Sequence, residues 1–319
     1  MNKIHHTVDI AGNKFSHEND FLYIAEVLKN CDKKHDSSII EIGVKAEFNE
    51  IEFFNIINNL NQNNINKGYM YLLPEEKQLT ADSMHFRFEI IEDSTRQTAE
   101  FKKQTFWQKT QDLFFRKRQI ILGGGRLYKI KSSSDHGTSG AIISVEEDLF
   151  IITARHVLLK NSAGALYTEN GCSSKSFDVG ENLLTSFSEK IDVGLVKIDQ
   201  EFHSISKKVI KKIGAPSNIR KQPECHLKVV KYGTSTKRTK GIIKSLYSRL
   251  NQNGALSVVL FMIKGIHPYS RFGNPGDSGS LILSKDKNPM GILVHVSGSK
   301  TFAIPIQLID NELPNIKFN

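Results

Sequence analysis

Over the first third of the chain the apolar positions change period several times. In NDFLYIAEVLKNC, Phe21, Ile24 and Leu28 recur at helical spacing and predict a helix. NEIEFFNIINNLNQNN predicts a second, and TAEFKKQTFWQKTQDLFFRKRQ, with Phe106, Leu113 and the only tryptophan, Trp107, a third. SSIIEIGVKAEF alternates as a half-buried strand does, and GYMYLLP and MHFRFEII read as further strands. The pattern changes at LGGGR, residues 122–126. From there on, short apolar runs (GAIISV, LFIITA, VGLVKI, HLKVVKYG, LSVVLFMI, GSLILS, GILVHVSG) alternate with Gly, Ser, Asn and Pro. Many short strands with turn residues between them predict an all-β barrel or sandwich. The expected organisation is an α+β domain over residues 1–118, followed over residues 119–319 by an all-β domain with room for two six-stranded barrels.

Composition narrows this picture. Of the 319 residues, 39% are hydrophobic and 24% charged, ordinary values for a chain that buries a core. The net charge of +9 permits contact with acidic partners. The basic stretches FFRKRQ (114–119) and TKRTK (236–240) read as a helix end and a solvated hairpin without aromatic interleaving, so a nucleic-acid partner is not expected. Cys31, Cys172 and Cys225 are too few and too scattered for a disulfide framework or a metal site, and neither metal nor cofactor is expected. No apolar run suits a signal peptide or a membrane span, so a cytoplasmic location without membrane contact is the expectation.

Three segments of the β-rich half each carry one residue that nucleophilic catalysis requires. His156 follows the apolar run FIITA, Asp192 opens the strand VGLVKI, and Ser278 lies in the glycine-rich turn GNPGDSGS. A serine hydroxyl is a weak nucleophile until a base takes its proton, and an imidazole does this near neutral pH. A carboxylate is needed to hold the ring tautomer and stabilise the imidazolium. Asp178, in SFDVG, competes for that role, but the longer apolar strand after Asp192 favours Asp192. Gly276, Asp277 and Ser278 form the expected oxyanion site, with the N–H groups of Gly276 and Ser278 converging on the developing charge.

These residues resemble the signatures of trypsin-like serine peptidases. TARHV is similar to their Thr-Ala-Ala-His, DVGLV to their Asp-Ile-Ala-Leu, and GDSGS to their Gly-Asp-Ser-Gly-Gly, in the same chain order. GTSGAIIS from Gly137, VVKYGTSTKRTKGIIKSL and TFAIPI resemble segments of bacterial and HtrA-type members. The resemblance covers residues 120–310. It implies the double six-stranded barrel, an acyl-enzyme mechanism and protein or peptide substrates. Arg126 is followed by Leu127 rather than Ile-Val-Gly-Gly, so no activating cleavage is expected, and Asp277 needs a partner other than a new N-terminus.

Phe272, six residues before the serine, stands where trypsin-like pockets that read basic residues carry Asp. LVHVSGS resembles the pocket strand of picornaviral 3C-like proteases; aligned on Gly298, it directs His295 into the pocket. An imidazole N–H can donate to a carboxamide or a carboxylate, which predicts Gln, Glu or Asp at P1 rather than Arg or Lys. Residues 1–118 are expected to bind a regulatory protein or ligand. The alternatives are a catalytically silent trypsin-like binding module and a viral 3C-like processing enzyme.

Overall fold

The computed structural model describes residues 13, 21–28, 38–45, 85–91, 120–128, 136–158, 166–168, 177–180, 191–252, 255–267 and 271–319. The helices expected after residue 48 and before residue 120, and the strand GYMYLLP, lie outside them.

The second half of the β-rich region closes on itself. Six strands take part: β13 (Lys228–Gly233), β14 (Lys237–Gln252), β16 (Leu260–Gly265), β17 (Leu281–Ser284), β18 (Pro289–Ser297) and β19 (Lys300–Pro305). They run in the order β13-β17-β18-β19-β16-β14, and pairing of β13 with β14 shuts the barrel. Val229, Ile243, Phe261, Ile263, Ile282, Met290, Leu293 and Ala303 fill its interior. A short strand, β15 (Ala255–Leu256), pairs with the end of β14.

The first half shows no closed barrel among its described residues. Among the described residues its strands form three short sheets. One joins β5 (Arg126–Tyr128), β6 (His136–Thr138), β9 (Leu166–Thr168) and β10 (Phe177–Asp178). A second joins β7 (Ala141–Val145), β8 (Asp148–Thr153) and β11 (Gly194–Lys197). In the third, β4 (Ile121–Gly123) runs parallel to β12 (Ser206–Ile210). Short strands broken by Gly, Ser and Asn cannot each sustain a continuous ladder, so packing holds the sheets together. One apolar cluster runs from Ile142, Ile152 and Val196 to Leu281, Phe302 and Ile304 of the second barrel. Helix α1 (Ile306–Glu312) and Phe318 seal it.

The helix expected around Phe21, Ile24 and Leu28 is instead strand β1 (Phe21–Leu28). Phe21, Tyr23, Ile24 and Ala25 are all buried. A strand covered on both faces loses its alternation, and apolar residues at i, i+3 and i+7 then imitate a helix. β2 (Ser38–Lys45) and β3 (His85–Ile91) are the expected strands. β1 pairs antiparallel with the far end of β14 (Tyr23 opposite Leu250), β2 with β1, and β3 parallel to β2. The described part of residues 1–118 therefore extends the sheet of the second barrel.

Candidate active site

The histidine and its acid are brought together by strand register. β8 and β11 pair antiparallel with Thr153 opposite Gly194, so the chain just beyond β8 runs beside the residues just before β11. Arg155 N–H donates to the Asp192 carbonyl (3.2 Å). His156 sits in a single 3-10 turn, Arg155–Val157. Asp192 Oδ1 accepts its backbone N–H (2.8 Å), and Oδ2 accepts from Nδ1 of its ring (2.5 Å). Both carboxylate oxygens are thus spent on one residue, which leaves Nε2 as the basic nitrogen. The imidazole keeps 42% of its side-chain surface exposed, so that nitrogen can be reached. Asp178 lies in β10, opposite Leu166, and Asp192 is the acid beside His156.

The turn that carries Ser278 packs against the chain leading to His156 through the glycine after the serine. Gly279 has φ +94°, and a Cβ there would run into Thr153 Oγ1 and the Thr138 carbonyl and come within 3.0 Å of the Ala154 nitrogen. The serine turn therefore rests directly on the two residues that lead into His156. Thr138 N–H donates to the Ser278 carbonyl (2.8 Å), and Thr153 Oγ1 to the Thr138 carbonyl (2.8 Å).

The direction of each N–H in the turn follows from what holds the carbonyl of the same peptide, because C=O and N–H of a planar trans peptide point opposite ways. The Pro275 carbonyl accepts from Ser235 Oγ (2.6 Å), which turns Gly276 N–H the other way. The Asp277 carbonyl accepts from Ser280 N (3.0 Å) and Oγ (2.6 Å), which does the same for Ser278 N–H. Neither N–H donates to any of the described residues. Asp277 N–H, by contrast, is consumed by the Asn274 carbonyl (3.0 Å). Of the three expected oxyanion residues, Gly276 and Ser278 thus keep N–H groups that no described residue engages, whereas the Asp277 N–H is taken.

The Asp277 side chain has the partner the sequence left open. Asp277 and Lys231 are both fully buried, and Lys231 Nζ donates to Asp277 Oδ2 (2.8 Å). Thr236 Oγ1 (2.7 Å) and Asn274 N–H (3.0 Å) donate to the same oxygen, and Ser235 and Thr236 N–H to Oδ1 (2.8 and 3.2 Å). The Thr234-Ser235-Thr236 turn between β13 and β14 thus wraps a carboxylate one residue from Ser278. Burial pushes the Lys231 ammonium below the ordinary lysine value; Asp277 opposes this and Lys237 adds to it. Lys231 was overlooked in the sequence, although its parity gave a signal: it shares the inward side of β13 with Val229.

The three expected pocket residues separate. His295 is exposed on β18, and Leu293, two residues before it, exchanges backbone hydrogen bonds with Gly279 (2.7 Å) and Ser280 (3.0 Å). The imidazole is pushed below the ordinary histidine value by desolvation and then by neighbouring His156, with Asp192 opposing. The ring is thus open to solvent while protein packs around it. Among the described residues no group hydrogen-bonds to it. Phe272 is fully buried inside the second barrel, where its carbonyl accepts from Thr239 Oγ1 (2.6 Å). Gly298 has φ +55° in the tight turn between β18 and β19, where Ser297 pairs with Lys300, and that turn accounts for the glycine. Among the described residues no group of three His, Cys, Asp or Glu side chains could hold a metal.

A histidine held by a carboxylate, beside a serine turn with two outward N–H groups, is the equipment of a serine peptidase. Residues 179–298 match the sequence model of peptidase family S64, a span that takes in Asp192, Ser278 and His295 but not His156. That match agrees with the resemblance to trypsin-like serine peptidases carried by the segments around Asp192 and Ser278. No curated protein matches the sequence. Among solved structures, a glutamic acid-specific serine protease described as using a histidine triad in substrate binding is 15% identical, with a TM-score of 0.48 over 61% of this chain and 98% of its own. Thermobifida fusca protease A is 18% identical, with a TM-score of 0.48 over 62% and 98%. Nocardiopsis protease is 16% identical, with a TM-score of 0.47 over 62% and 100%.

Proposed function

We propose that the chain is an endopeptidase in which His156, Asp192 and Ser278 act as a triad. The observation that carries this reading is Asp192 holding both the ring Nδ1 and the backbone N–H of His156, while the Ser278 turn rests on Ala154 through Gly279. His156 Nε2 takes the Ser278 hydroxyl proton as Oγ attacks the scissile carbonyl. Gly276 and Ser278 N–H receive the oxyanion. His156 then returns the proton to the leaving amine, and water repeats the sequence on the acyl-enzyme. A fluorophosphonate probe is expected to label wild-type protein at Ser278. Ser278→Ala should abolish labelling and lower kcat/KM at least about 10^4-fold. A wild-type chain that resists the probe would sink the reading.

P1 is Gln, Glu or Asp, bound by His295. What supports this is the position of His295 on β18 two residues past Leu293, which is bonded to the serine turn, with ring nitrogens that no described group engages. Unbiased cleavage-site profiling tests it, and dominant cleavage after Arg, Lys or Leu is the contrary result. Residues 1–118 act on the peptidase, a role supported by the pairing of β1 with β14.

A further inference from the structure

On the reading of His295 as the P1 contact, something must hold its ring in place, and no hydrogen bond from the described residues does so. Its aromatic neighbour is Phe302, directly across the β18–β19 ladder, with ring centroids 6.1 Å apart. Phe302 in turn packs against Tyr23 of β1, centroids 4.9 Å apart. The Tyr23 ring lies over Gly43 of β2, where any Cβ would enter it. Its hydroxyl donates to Glu41 Oε1 (2.8 Å). Glu41 also accepts from Lys300 Nζ (3.1 Å to Oε1). Lys300 lies two residues before Phe302 on β19, hence on the same face of that strand. In the sheet order β2 is several strands from β19, so these contacts cross a face of the curled sheet.

We infer that the β1–β2 hairpin is the back wall of the P1 pocket: Tyr23 sets the position of His295 through Phe302. A ring that reads a side chain by hydrogen bond must be held to about half an ångström, and packed neighbours provide that. Tyr23 is a positioning residue for specificity.

The test uses the full chain and peptide pairs identical except at P1, competed in one reaction so that only the ratio of kcat/KM values is read. Tyr23→Ala is expected to reduce the preference for Gln over Leu about tenfold, while Tyr23→Phe, which keeps the ring, retains it. A wild-type ratio in Tyr23→Ala would overturn the inference. Should Tyr23→Ala not fold, Tyr23→Leu, which fills the space without an aromatic ring, is read in the same way, and an unchanged ratio there does so by itself. Fluorophosphonate labelling of Ser278 together with no Gln or Glu preference in the wild type removes the His295 reading, and this inference with it. Failure of the wild type to label removes instead the triad reading beneath both.

Discussion

At the scale of single residues, His295 shows how chemistry and surroundings combine. Its pKa is depressed by desolvation and by His156, so at neutral pH the ring is uncharged and offers one N–H donor. That form suits a carboxamide, whereas a carboxylate is bound better by an imidazolium. The sign follows: as pH falls through the lowered pKa the ring becomes charged, and Glu at P1 gains on Gln. The kcat/KM ratio for matched Glu and Gln peptides is expected to rise toward acid pH. A ratio that stays flat across the pH range in which the His295 ring gains its proton, followed by NMR, would count against His295 as the P1 contact. The motif residues were legible because their chemistry needs particular neighbours in sequence, such as Gly276 and Gly279 around Ser278. Lys231 and Glu41 were not, because their partners, Asp277 and Lys300, lie far away in sequence and meet only in the fold.

At the scale of elements, the β13–β14 hairpin and the serine turn form one unit through the buried Lys231–Asp277 pair. Breaking such a pair leaves a lone charge in the core. Lys231→Met should cost about 3–5 kcal/mol, read by urea denaturation, and should lower kcat with it. Lys231→Arg keeps a cation that does not titrate. In the wild type Lys231 loses its proton as pH rises through its lowered pKa, the ion pair goes, and activity falls; in Lys231→Arg that alkaline fall should move to higher pH. Stability runs the opposite way at this site. The unfolded chain holds the lysine proton more tightly than the native one, so between the two pKa values stability gains with rising pH. An alkaline loss of activity at an unchanged or higher urea midpoint is the expected signature. The strands of the second barrel were legible from their apolar runs, whereas β1 was misread because Phe21, Tyr23, Ile24 and Ala25 are all buried and leave no alternation.

At the scale of the whole molecule, one apolar cluster links the first sheets, the second barrel and β1, so the peptidase and the described strands before residue 118 share a core. Composition marked a boundary near residue 122, but backbone pairing crosses it. β14 is 16 residues long and serves four neighbours: β13 near its start, β16 in its middle, β1 toward its end and β15 at its last two residues. A chain shortened to residues 119–319 would leave the stretch from Tyr247 to Leu250 with bare N–H and C=O groups along one side. Open strand edges invite like edges to pair with them. The shortened chain is expected to sediment as larger, concentration-dependent species than the full chain, and a size-matched monomer would contradict this. An inactive fragment of that kind would then report clumping rather than the loss of an activator, so the first strand is a guard on solubility before it is anything else.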